Sequence, residues 1–178
     1  MKNKFIKFIA IIFIVSIAGC FTAPINNKDF QKIRKIENLN GTYLNKGDTG
    51  DERDIYLSQI IWDNDKLLNH KLIGEIVIKA LNSNELQVKA VQNQSTVKKQ
   101  IFIKGKDFNI DSGKINLQSK ISIINDIVIG VEYYNITLGI DTLGDGKYVY
   151  SGGGMGLALL VIPIAVYVTE HVRFVKIK

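Results

Sequence analysis

Glu85-Leu86-Gln87-Val88-Lys89-Ala90-Val91 alternates polar and apolar residues without a break. Period-two alternation puts Leu86, Val88 and Ala90 on one face and Glu85, Gln87 and Lys89 on the other, the mark of a half-buried strand. Working outward, Asn82-Ser83-Asn84 reads as a turn before it and Gln92 to Gln94 as a turn after it. The flanking runs Lys71 to Leu81 and Val97 to Lys104 then read as the neighbouring strands. The same rhythm continues. Gly105-Lys106 and Asp111-Ser112-Gly113-Lys114 are turn signals. Ile115 to Ile124 alternates, Asn125-Asp126 turns into Ile127 to Ile140, and Gly144-Asp145-Gly146 turns into Lys147 to Tyr150. β-branched strands between closely spaced turns predict an antiparallel meander. No helix-length pattern separates them, which excludes a parallel α/β fold. A meander of this kind covers its edges by closing into a small barrel or a curled sheet.

Asn45 to Glu52 is a polar loop. Asp51 to Trp62 is expected as the one short helix, with Asp51, Glu52 and Asp54 where a helix N-terminus favours negative charge, and Leu57, Ile60 and Ile61 on one face. Ser151 to Gly156 holds four glycines and is the most flexible-looking stretch; its glycines suit a hinge or close backbone packing. Leu157 to Val168 is the most apolar stretch of the body. Two uses follow, a second membrane contact or a buried segment across the core. Counted from Met155 it spans ~21 Å as a helix, short of a ~30 Å hydrocarbon core, and Pro163 interrupts it, so the buried use is expected. Thr169 to Lys178 reads as a closing strand.

The first twenty residues are of another kind. Lys2, Lys4 and Lys7 lead into the apolar run Phe8 to Ile17, which closes on Ala18, Gly19 and Cys20. A basic start, an apolar middle and a small-residue exit make a secretory signal peptide. Ile17-Ala18-Gly19-Cys20 resembles the lipobox of bacterial lipoproteins, with Ile17 where leucine is commoner. The resemblance covers the leader only. It implies cleavage before Cys20 and a diacylglyceryl group on the Cys20 sulfur, often with an acylated amino group; two or more acyl chains anchor stably. It also implies a cell-envelope location. Phe21, rather than Asp, follows the cysteine, which in Gram-negative lipoproteins points to the outer membrane, facing the periplasm. The chain therefore divides into a signal peptide (1–19), a lipidated tether (20–38) with Pro24, Asn26, Asn27 and scattered charges, and a β-rich domain (39–178).

The formal charge of +6 falls to +3 once the three leader lysines are removed. That is too little to argue for nucleic acid as a partner. Cys20 is the only cysteine among 178 residues, so with its sulfur lipidated the body has no disulfide and depends on apolar burial.

No catalytic, metal or cofactor signature stands out. His70 and His171 lack a second ligand at metal spacing, and no Gly-x-Ser-x-Gly elbow occurs. Asp141 to Gly146 lacks the alternating acids and distal glutamate of a calcium loop, and reads as a turn. The glycines of 152–156 lack the strand–turn–helix setting of a dinucleotide site. Asn40, Asn93 and Asn135 begin Asn-x-Ser/Thr triplets of the kind an Asn-rich chain carries by chance. The pairs Asp63/Asp65 and Asp141/Asp145 would serve acid–base work only if gathered in a cleft. Tyr133 and Tyr134 are adjacent and point to opposite faces, so at most one lines an interior.

The expected function is a non-enzymatic binding or interaction module, with a covalent lipid on Cys20 and no other cofactor. Its partners are the bilayer through that anchor, together with either an apolar small molecule or another envelope protein. Gly41-Thr42-Tyr43 resembles the Gly-x-aromatic step that opens lipocalin-like barrels, although lipocalins usually carry Trp at the third position. That likeness implies an interior for a small apolar ligand. The other use is an outer surface that binds a protein, as an inhibitor or immunity factor does against a toxin or hydrolase. An envelope hydrolase using the acidic pairs is the remaining class.

Overall fold

The computed structural model describes residues 20–24, 27–125, 128–158 and 162–178; the side chains of 20–22, 118–129 and 158–163 fall outside the description. The leader 1–19 and Asp126 of the turn expected at Asn125-Asp126 lie outside the described residues.

The chain is mainly β, in two sheets. Strands β2 (Gly41–Leu44), β3 (Glu75–Asn82), β4 (Glu85–Gln92) and β5 (Ser95–Ile103) make a four-stranded antiparallel meander. Strands β6 (Asn109–Asp111), β7 (Lys114–Asn125), β8 (Val128–Ile140), β9 (Gly146–Ala158) and β10 (Ile162–Phe174) make a second one. It is completed by β1 (Cys20–Thr22), which runs parallel to β10. The meander is as expected, but it is split: the sheets curl past each other and no barrel closes. They meet at one corner, where Tyr43 bridges to Lys176 and the Thr42 and Ile177 backbones bond across.

The turns explain the register. Asn93 and Gln94 both have positive φ (48° and 65°), as do Ser112 and Gly113 (51° and 76°). Two consecutive left-handed residues match the twist of a tight hairpin. Along β4, Leu86, Val88 and Ala90 are all buried, as their alternation predicts. Val88 and Ala90 join a core with Tyr43, Trp62, Ile76, Tyr148, Val172 and Phe174, whereas Leu86 joins a second with Ile33, Ile36, Leu39, Phe108, Ile115 and Ile140. The core therefore lies between the four-stranded sheet and the near ends of β7 to β10.

Several expectations are corrected. The helix α1 covers only Leu57–Ile61. Asp51 and Asp54 instead order the loop before it: the Asp51 carboxylate accepts from the Arg53 backbone N–H (3.0 Å), and Asp54 pairs with Lys46 (2.5 Å). Tyr56 offers α1 no side-chain cap; Asn45, buried at the end of β2, accepts from the Ser58 N–H (2.7 Å) and donates to the carbonyls of His70 (2.8 Å) and Ile73 (3.0 Å). One amide thus caps the helix from outside and ties it to the loop before β3.

The stretch expected as a tether does not stand clear of the domain. Cys20–Thr22 pairs with β10, Phe30 bridges to Asp141, and Ile33, Ile36 and Leu39 are buried. Apolar residues that remove surface from water do not stay extended in it. Lys147 holds this stretch as well, donating to Asn27 Oδ1 (2.7 Å) and to the Lys28 carbonyl, over the Phe30 ring.

The glycine run is no hinge. β9 passes straight through it, and neighbouring tyrosines fill the missing side-chain space: a Cβ on Gly152 would meet Tyr150 Oη at 2.7 Å, and one on Gly153 would meet the Val166 carbonyl at 2.7 Å and Tyr133 Oη at 3.2 Å. Close packing is the use these glycines serve. Leu157 to Val168 is not a segment buried across the core either. Its described ends belong to β9 and β10, where Leu157, Ala165, Val166 and Tyr167 are exposed and Ile164 and Val168 half-buried.

Candidate functional site

Three places are candidates for a ligand or partner: the space between the sheets, a cleft beside α1, and the far end of the long sheet.

Between the sheets, Tyr43, Leu57, Val88, Phe102, Phe108, Leu138 and Phe174 surround a cavity of about 70 Å³. Small-molecule sites run to about 300–1,000 Å³, so this space is a packing void. Tyr43 points into the core with its hydroxyl donating to the Leu39 carbonyl (2.9 Å). Burial, then the Asp145 charge, pushes its phenol up to about 12.

The cleft, about 570 Å³, lies between the loop before α1 and the two sheets. Asp54, Asp63, Asp107 and Glu170 line it with Gln59, Lys106 and Tyr148. Its charges are already engaged in part. Glu170 pairs with Arg53 (2.5 Å), and the hydrogen bond from Lys46 holds Asp54 below the usual carboxylate range. Burial, with Glu170 nearby, raises the Tyr148 phenol well above its ordinary value.

The acidic pairs separate. Asp63 is exposed at the cleft, whereas Asp65 turns to Lys98, whose hydrogen bond lowers its pKa. Asp141 is buried and accepts from the Leu143 (2.8 Å) and Asp145 (3.0 Å) N–H groups. Asp145 accepts from the Lys176 N–H (2.8 Å) and pairs with Arg173 (3.1 Å). These are turn and strand-end roles. His70 Nδ1 lies 3.1 Å from Ser58 Oγ, while His171 sits on β10, its pKa lowered by burial and then by Lys147. Among the described residues no three His, Cys, Asp or Glu side chains converge on one point. Asn40 Oδ1 accepts from the Ala80 N–H (2.6 Å), and Asn93 occupies the β4–β5 turn.

The far end is where Cys20 lies. Its backbone pairs with Val168 of β10, the strand that begins at Ile162. Tyr133 and Tyr134 do point to opposite faces, and neither reaches the core: Tyr134 stacks near Tyr150 (ring centroids 6.1 Å), and Tyr133 lies over Gly153. On the Tyr133 face, Val131, Met155, Leu157 and Tyr167 are between 44% and 70% exposed. Sequence reasoning missed this surface. Its signal was the absence of any Asp, Glu, Lys or Arg from Tyr148 to Thr169, which reads equally as interior. No family model, curated protein or solved structure matches the chain.

Proposed function

We propose that the chain is a bacterial envelope lipoprotein, held to the outer membrane on its periplasmic side by lipid on Cys20. Its β body acts as a non-enzymatic module that binds another envelope protein through its surface. The observation that carries the anchor is the register of Ile17-Ala18-Gly19-Cys20 behind a basic and then apolar leader. The choice of a surface over an interior rests on the 70 Å³ core void, too small for the apolar ligand a lipocalin-like barrel takes up. The cleft with Asp63, Lys106 and Asp107 offers charged contacts to such a partner, in keeping with an inhibitor or immunity role.

Intact mass of the membrane-extracted protein tests the anchor. The expected mass is that of residues 20–178 plus a diacylglyceryl thioether, with or without an N-acyl chain, and Cys20→Ala abolishes the gain. Wild type recovered without lipid mass overturns the reading. Capture of a single envelope protein, lost when Lys106 and Asp107 are reversed in charge, tests the surface role.

A further inference from the structure

We infer that the bare far end of the six-stranded sheet is a second, shallow membrane contact, seated in the headgroup–acyl boundary beside the lipid on Cys20. This rests on the anchor reading above and adds a surface to it.

At the sheet end apolar residues are exposed on both faces, and Glu132, level with Val166, is the one charge among the described side chains there. Val131, Met155 and Ala165 are in register across three strands on one face, with Leu157 further out, and all four are exposed. On the other face Val166 is 50% exposed, beside Ile164 and Val168 and the floor of Gly152, Gly154 and Gly156. A protein partner covers one face of a sheet, whereas a lipid phase surrounds its end. Exposed apolar residues elsewhere are single or stand beside charged or polar ones, as Val97 and Ile101 do around Lys99 on β5 and Ile103 does opposite Glu85, and these are ordinary surface.

The order along the strands matches a membrane boundary. Tyr133 and Tyr167 flank Gly153 on one face, each about half exposed, and tyrosines gather where one end of the ring is apolar and the other wet. One residue nearer the tip, on the opposite face, stands Glu132, the one charge on β8. It fixes the level that stays with the headgroups. Beyond it come Val131, Met155 and Leu157. From Tyr133 to the start of β8 at Val128 is about 17 Å, roughly half of the ~30 Å hydrocarbon. The edges limit the depth further. Among the described residues β6 pairs β7 only at Lys114–Asn116, and β1 pairs β10 only at Val168–Glu170. Bare strand edges are too costly in hydrocarbon to allow a span, so the end lies shallow.

Cys20 fixes the occupant. Its partner Val168 is next to Tyr167, so a lipid on its sulfur enters the bilayer at the level of the tyrosines. The anchor and the apolar end share one boundary.

The chain has one cysteine, so once Cys20 is lipidated an introduced thiol is unique. The full chain carrying Met155→Cys or Leu67→Cys, the latter at a residue 98% exposed, is labelled with an environment-sensitive fluorophore. It is then placed in phosphatidylethanolamine–phosphatidylglycerol vesicles. At position 155 the expected result is several-fold stronger quenching by acyl-chain nitroxides and several-fold weaker quenching by iodide than at position 67. Iodide quenching equal to that at 67 overturns the inference while leaving the anchor intact. Protection from both quenchers also overturns it, since that face is then covered by a second copy or another protein. Label taken up by the wild-type chain shows an unmodified Cys20 and overturns the anchor together with the contact built on it.

Discussion

β8, β9 and β10 are each 13 residues long, and their two halves lead different lives. Near the body, Ile140, Tyr148, Val172 and Phe174 are buried in the two core clusters that hold β4; towards the tip, Val131, Met155 and Leu157 are between 44% and 70% exposed. The strands, the pairing and the apolar content barely change from one half to the other. What changes is the cover. β3 and β4 are eight residues long and β5 is nine, and the cover ends before the longer strands do. Burial is thus decided by the opposing layer, and alternation within a strand reports only which side would be buried if a layer were there.

The sharpest way to break this comparison is to truncate one apolar residue in each half. Phe174→Ala, at a side chain with no exposed surface, is expected to cost about 3–5 kcal/mol. Met155→Ala, 70% exposed, should stay within about 0.5 kcal/mol, both read from urea midpoints. Similar losses would mean that the far half is covered after all.

A smaller effect tests what holds the cover. Asn45→Ala strands the Ser58 N–H and the Ile73 carbonyl in the interior, for an expected loss of about 1–3 kcal/mol. Hydrogen exchange should quicken over residues 57–61 and 70–76 and stay unchanged in β9 beyond Gly152. Uniform quickening would show the halves to be one cooperative unit.

The smallest effect is a matter of pH. Asp51, Asp54 and Asp65, all in or beside the loops that flank α1, are held below their ordinary range by hydrogen bonds from the Arg53 backbone, Lys46 and Lys98 respectively. Their folded pKa values lie below the unfolded ones, so the stabilisation is present above about pH 3.9 and is lost as pH falls through the folded values. Trp62, the only tryptophan, donates to Gln100 (2.7 Å) and lies under Lys98 (5.5 Å), the partner of Asp65. Its emission should change in that acid range, and Asp65→Asn should remove much of the pH step. An unaltered step would detach Asp65 from the local order.

Most of the strands were legible because turn residues and period two act locally. Glu85 to Val91, the Gln92–Gln94 turn and Asp111 to Lys114 needed no knowledge of partners. The misreadings share a cause, which is dependence on distant residues. The helix was drawn too long because Asp51 and Asp54 resemble first-turn acids, while its actual N–H acceptor is Asn45, placed by β2. Nothing local to Ile33 and Ile36, in the stretch expected as a tether, says that Phe108 and Ile115 wait for them. The glycines of β9 left hinge and close packing both open because Tyr133 and Tyr150, which fill their space, come from a paired strand and from two positions along. At the candidate site, the motif around Cys20 is local and legible, and the bare apolar end is not, since greasy residues look alike whether they face a core or an open side.

The parallel pairing of β1 with β10 carries a consequence for biogenesis. Cys20–Thr22 is synthesised early, yet Val168–Glu170 arrives almost last, so joining them closes the longest loop among the described strand pairs and awaits nearly the whole polypeptide. Until Val168–Glu170 has been made, the Cys20–Thr22 backbone has no β10 to pair with, so this edge of the sheet is completed late.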